Sequence, residues 1–190
     1  VNYDINEHII LSPFNFHDQT VLAVPTDLPA AEGGSSEFQE ATAEVTRQVA
    51  TLSDGGLFVL FTSSSALVRV GELLRVAGTD SKWPLFVQGE DDRHRLLHRF
   101  VDHGRGILLG TASFWEGVDV PGDPLRGLII QKLPFKVPTE PVTAARMEAI
   151  NRAGRDGFRE YMLPHAALRL KQGFGRLIRS KSDRGAAALL

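Results

Sequence analysis

Leu57-Phe58-Val59-Leu60-Phe61, followed at once by Thr62-Ser63-Ser64-Ser65, is the stretch on which the fold turns. Five apolar residues in succession, with no polar alternation, read as a strand buried on both faces. The signature recurs downstream. Leu85-Phe86-Val87 runs into Gln88-Gly89, Ile107-Leu108-Leu109 into Gly110-Thr111, and Leu128-Ile129-Ile130 is a fourth such run. Val21 to Val24, closed by Pro25, and Ala186 to Leu190 at the end of the chain add two more strand candidates. Helical segments lie between them. Phe38, Ala41, Val45, Val49 and Leu52 recur at helical spacing behind Ser35 or Ser36 as the cap. Further helices are predicted from the serine run to about Ala77, from about Asp91 to Val101, and over Ala166 to Lys171. Doubly buried strands alternating with helices predict an α/β fold, a parallel β-sheet sandwiched by helices.

Composition sets the bounds. The chain has 190 residues, 43% hydrophobic and 23% charged, which suits one globular domain with its own core. Residues 1–30 read as an irregular lead-in with a short strand, and 31–190 as the domain proper. No apolar run approaches the ~18 residues of a membrane span, and no signal peptide is present, so a membrane is not an expected partner. With no cysteine, the sequence offers no disulfide framework, no thiolate zinc site and no iron–sulfur cluster; a reducing cytoplasm is the expected location. A first residue of Val1 and an apolar final run lead us to expect a C-terminally truncated piece of a longer protein.

The net charge of −2 conceals an asymmetry. Residues 1–56 carry nine acids and the single base Arg47, whereas residues 141–190 hold ten bases and four acids. A basic final third suits a phosphate-bearing partner, although solvated helix faces produce the same excess.

In parallel α/β sheets, ligands bind at the carboxyl ends of the strands. That rule selects Thr62 and Ser63, Gln88 and Gly89, Thr111 to Asp119, and Lys132 to Lys136. Within Gly110-Thr-Ala-Ser-Phe-Trp-Glu-Gly-Val-Asp119, the glycines allow a ligand close to the backbone, Thr111 and Ser113 offer donors to phosphate, and Asp119 can accept from a ribose hydroxyl. The alternative is that Phe114 and Trp115 plug the core and Asp119 caps a turn. A second cluster, Gln172-Gly-Phe-Gly-Arg176-Leu-Ile-Arg179, follows a helical segment. Three residues apart, Arg176 and Arg179 would share a face of one helical turn. Paired guanidiniums point to a polyanion, since the planar fork binds phosphate oxygens in a bidentate way. Their alternative role is as surface cations favoured near a helix C-terminus. The sequence holds neither a Gly-Lys dipeptide for a phosphate loop nor an Asp-Glu pair for magnesium. Arginines for a γ-phosphate without a cradle for the other phosphates suggest half of a shared site.

These segments resemble the motifs of a known family. Thr111 to Gly122, T-A-S-F-W-E-G-V-D-V-P-G, is similar to motif V of DinG-type superfamily 2 helicases, relatives of the XPD helicase, and Gln172 to Gly185 is similar to motif VI. Leu60 to Ser63 resembles motif IV, and Val87-Gln88-Gly89 the motif after it. The resemblance implies a RecA-like fold, the second motor domain of an ATP-dependent DNA helicase. It places Glu116, Gly117 and Asp119 on the ATP-binding edge, and Gln172, Arg176 and Arg179 toward the γ-phosphate, with Arg179 as arginine finger. It gives Thr62, Ser63, Gln88, Thr111 and Ser113 to single-stranded DNA. ATP and Mg2+ are then held mainly by the first RecA-like domain, the implied partner, and movement along the strand is expected 5′ to 3′. Without that domain the piece is expected to be inactive. Two other readings stay open. One is the motor-like domain of a DinG-type exonuclease. The other is a passive single-strand binding module with Arg152, Arg155 and Arg159 in its footprint.

Overall fold

The structure, a computed structural model, describes residues 12–31, 34–111, 114, 125–178 and 180–190. Six strands, β1 (Thr20–Ala23), β2 (Leu57–Leu60), β3 (Leu85–Val87), β4 (Ile107–Gly110), β5 (Gly127–Ile130) and β6 (Gly185–Leu189), form one sheet in the order β1-β6-β5-β2-β4-β3. Every pairing is parallel, with Leu57 opposite both Ile107 and Gly127 at the centre. The lead-in strand β1 pairs with β6 and forms one edge of this sheet.

Alternation along the strands divides the core in two. Phe58, Leu60, Leu108, Leu128 and Ile130 face one layer with Leu96, Phe100, Leu177 and Ile178. Leu57, Val59, Phe61, Ile107, Leu109 and Ile129 face the other with Leu67, Val70 and Leu74. Since both sets are buried, period-2 patterning vanishes from the sequence and the runs are apolar throughout. The expected parallel sheet with helices on both faces is the fold observed.

After the single helical turn α1 (Phe16–Gln19), the helices are α2 (Ser36–Ser53), α3 (Ser64–Val76), α4 (Arg93–His103), α5 (Pro141–Arg152) and α6 (Leu163–Phe174). Ser35 caps α2 by accepting from the Phe38 amide, Ser63 caps α3 from Ala66, and Asp92 caps α4 from His94 and Arg95. A π turn, Phe158–Met162, leads directly into α6. Pro164 follows it in the first turn of α6, where a residue without an N–H is tolerated. Among the described residues, no helix is long and apolar enough to cross a membrane.

Candidate functional site

Because all strands run the same way, the loops after β2, β3, β4 and β5 leave one edge of the sheet. There Gln88 and Thr111 are brought together. The Gln88 Oε1 accepts from the Thr111 backbone N–H at 2.6 Å and from its hydroxyl at 3.0 Å. Both residues are half-buried, so neighbouring strand ends are tied into one polar ridge. Thr62 is exposed, and the Ser63 hydroxyl contacts Ser65 at 2.7 Å. Thr62 and Ser63 line a cleft of about 60 Å³ with Phe38, Gln131 and Lys132. Lys132 lies over the Phe38 ring, 5.5 Å from its centroid, and donates to the Ala31 carbonyl. Gln131 is buried and donates to Thr42 at 3.3 Å.

Two expectations are corrected by the geometry. Gly110 does not open its backbone to a ligand. A Cβ there would lie 2.9 Å from Phe114 and 3.1 Å from the Phe58 ring, so the missing side chain makes room for the core. Phe114 is 1% exposed and meets Phe58 edge-on at 6.3 Å, the plug role rather than a ligand role. Nor does helix α6 extend to Arg176. Helix α6 ends at Phe174, and the Arg176 and Leu177 amides bond to the Gly173 and Phe174 carbonyls in tighter turns. Gly173 and Gly175 weaken helix propagation there. Leu177 then packs against Gly185 at the start of β6, which fixes the direction of the turn.

Gln172 is exposed on the last turn of α6 and Arg176 is half-buried beyond it. Ser113, Glu116, Gly117, Asp119 and Arg179 lie outside the described residues. Past Arg179 the chain is held firmly. Asp183 accepts from the Ser180 amide at 2.8 Å and from its hydroxyl at 2.5 Å. Gln19, 7% exposed, donates its amide to the Ser180 and Asp183 carbonyls, both at 2.9 Å. Arg184 donates to the Asp18 carbonyl at 2.7 Å. Sequence reading missed Gln19, and no local pattern marks it. Lys132 belongs to the segment Lys132 to Lys136 that the strand-end rule selects.

A family model described as the helicase C-terminal domain matches residues 46–190, the part of the chain that contains β2 to β6 and both motif-bearing loops. The chain belongs to the helicase C-terminal domain family. Within it, the chain is 41% identical over 177 residues to an ATP-dependent DNA helicase YoaA of Escherichia coli (strain K12), covering 93% of this chain and 27% of that protein. It is 37% identical over 185 residues to an ATP-dependent DNA helicase DinG of Photobacterium profundum, covering 95% and 26%. A 3′-5′ exonuclease DinG of Bacillus subtilis is 35% identical over 184 residues, covering 95% and 20%. This helicase C-terminal domain thus spans about a quarter of the length of the relatives it matches. The solved structure of S. tokodaii Xpd4 shares the fold at a TM-score of 0.71 and 15% identity, covering 100% of this chain and 37% of that one. The DinG-type resemblance read from motifs V and VI agrees with these relatives.

Proposed function

We propose that this helicase C-terminal domain is the second motor half of an ATP-dependent DNA helicase or translocase, completed by a first RecA-like domain. The observation that carries this reading is the family match over residues 46–190 to a domain whose 41%-identical relative is named an ATP-dependent DNA helicase. The braced turn after Arg179 and the polar ridge on the strand ends support it. In this reading Thr62, Ser63, Gln88, Thr111 and Ser113 hold the DNA backbone. Glu116, Gly117 and Asp119 contact ATP, with Asp119 toward the ribose. Gln172, Arg176 and Arg179 meet the γ-phosphate, where an arginine offsets charge that develops during transfer.

No group of His, Asp and Glu among the described residues could hold a metal ion. In this reading Mg2+ and the other phosphates of ATP are held mainly by the partner domain. Hydrolysis needs both halves closed together, and reopening after it shifts one half along the strand.

Turnover in the full-length protein is the test. DNA-stimulated ATPase is expected, and Arg179→Ala should lower kcat by about two orders of magnitude or more, with the isolated chain inactive. Undiminished kcat in that variant removes the finger assignment. A second reading has one observation in its favour, the 35%-identical relative named a 3′-5′ exonuclease. It predicts degradation of 3′-ended single strands by the full-length protein that survives Arg179→Ala.

A further inference from the structure

Positive charge in the last third of the chain is unevenly neutralised. Arg152 pairs with Glu148 at 2.6 Å, Arg155 with Glu160 at 2.7 Å, and Arg159 with Asp156 at 3.5 Å. The arginines that composition alone offers as a nucleic-acid footprint are thus matched by acids. Lys136, Arg146 and Arg169 differ. Among the described residues, none of the three has a carboxylate within ion-pair distance.

These three cations gather around one aromatic pair, although they come from separate segments. Tyr161, in the π turn, is 6% exposed. The Lys136 ammonium donates to its hydroxyl at 3.0 Å and stands 5.0 Å from the ring centroid. The Arg146 guanidinium, from α5, stands 5.6 Å from the same centroid. His165, one turn on in α6, meets the Tyr161 ring edge at 4.7 Å. Arg169 follows His165 by another helical turn, on the same face.

The electrostatics agree with the geometry. Burial and then the charges of Lys136, Arg146 and Arg169 hold the His165 imidazole below its ordinary pKa. The Lys136 hydrogen bond, aided by its charge and that of Arg146, lowers the Tyr161 phenol. Cation–π contact with one tyrosine does not remove the net positive charge. Like charges collected without a counter-charge oppose folding, and an anion seated among them relieves that opposition.

Location selects the anion. Lys136 lies in the connection leaving the carboxyl end of β5, on the sheet edge from which the loops of Thr62, Gln88 and Thr111 also depart. We propose that Lys136, Arg146 and Arg169, set around Tyr161 and His165, form a phosphate subsite for the backbone of single-stranded DNA, extending the strand's path beyond the strand-end ridge. The DNA in this assignment comes from the proposed motor function; the subsite itself is a binding property that does not depend on ATP turnover.

The experiment uses the full-length protein and a fluorescein-labelled oligothymidylate, with affinity measured across a salt series. Each phosphate neutralised on a single strand contributes about 0.7 to the slope of log K against log salt, so Lys136→Gln with Arg146→Gln and Arg169→Gln should reduce the slope by about 2. Affinity at low salt should fall about 10-fold or more. The matched set Arg152→Gln, Arg155→Gln and Arg159→Gln should leave both unchanged. Lys136→Arg, Arg146→Lys and Arg169→Lys together should keep the slope, because charge is retained. An unaltered slope in the first set, an equal loss in the matched set, or an equal loss in the charge-conserving set overturns the subsite. A raised KM for ATP with an unaltered DNA slope would assign the phosphate to the nucleotide, and would overturn it as well. The motor reading fails separately. If Arg179→Ala leaves ATP turnover intact while the triple glutamine set still lowers the slope, the motor assignment falls and the subsite stands.

Discussion

Gln19 Nε2 reaches the carbonyls of Ser180 and Asp183, both at 2.9 Å, from a buried position ahead of the first strand. An orphaned buried carbonyl costs about 1–3 kcal/mol, so Gln19→Leu should destabilise the chain by about that much in denaturant unfolding. Gln19→Glu should cost more, because it sets a carboxylate against two carbonyls. A Gln19→Glu variant with wild-type stability would show that this amide does not hold the turn. The residue is invisible to sequence reasoning, since its partners lie 161 and 164 positions away and no periodicity links them. Gly55 is a case where the chain itself dictates the residue. Its φ is +74°, and a Cβ would fall 2.0 Å from the Arg105 carbonyl oxygen, so backbone would have to move. Gly55→Ala should therefore cost more than about 1 kcal/mol and lower Tm by several degrees, against a change near zero if the turn simply re-forms.

Elements were legible where burial is two-sided and opaque where it is slight. The five-residue run at Leu57 announces β2 because both faces of that strand are covered. Helix α5 buries only Thr143, so Val142, Ala144, Ala145 and Met147 form no stripe for a periodicity search to find. Pro141 at its first turn was the available signal. Motif VI had the opposite fault. The Arg176–Arg179 spacing looks helical, yet the glycines end α6 at Phe174. The join between the π turn and α6 sets up a pH dependence. His165 there faces Lys136 from the β5–α5 connection, Arg146 from α5, Tyr161 from the π turn and Arg169 along α6. Burial foremost, and then those cations, lower its pKa in the folded state. Its stabilising contribution is thus full above the ordinary histidine value of about 6.5 and is lost as pH falls through that value toward the lower folded pKa. Thermal unfolding between about pH 7.5 and 5 should show Tm falling less in His165→Gln than in the wild type. Parallel Tm curves for the two proteins would rule His165 out as the source.

At the scale of the whole molecule, strand order is what the sequence withheld. Six strands were readable in turn, but the order β1-β6-β5-β2-β4-β3 rests on crossovers that no local pattern specifies. That order makes the lead-in part of the sheet, since β1 pairs with β6 along Thr20–Ala23. The family match begins only at residue 46, within α2. The physical unit and the matched unit therefore differ, and their difference can be measured. A chain of residues 46–190 would lose β1, leaving one side of β6 unpaired, and with it the Gln19 bonds to the turn after Arg179. It would also lose the first half of α2, including Phe38 at 2% exposure and Ala43, which packs among Leu57, Val59 and Phe61. Burying a phenylalanine is worth about 1.5–3 kcal/mol, and a domain stands only about 5–15 kcal/mol above its unfolded state. Removing an edge strand, half a helix and a buried tie together takes most of that margin. Residues 46–190 should show no cooperative melt by circular dichroism and should aggregate through the unpaired β6 edge, whereas residues 12–190 should melt in one transition. A cooperative melt of the shorter chain within a few degrees of the longer one would mean that the lead-in is an ornament on a domain already complete without it.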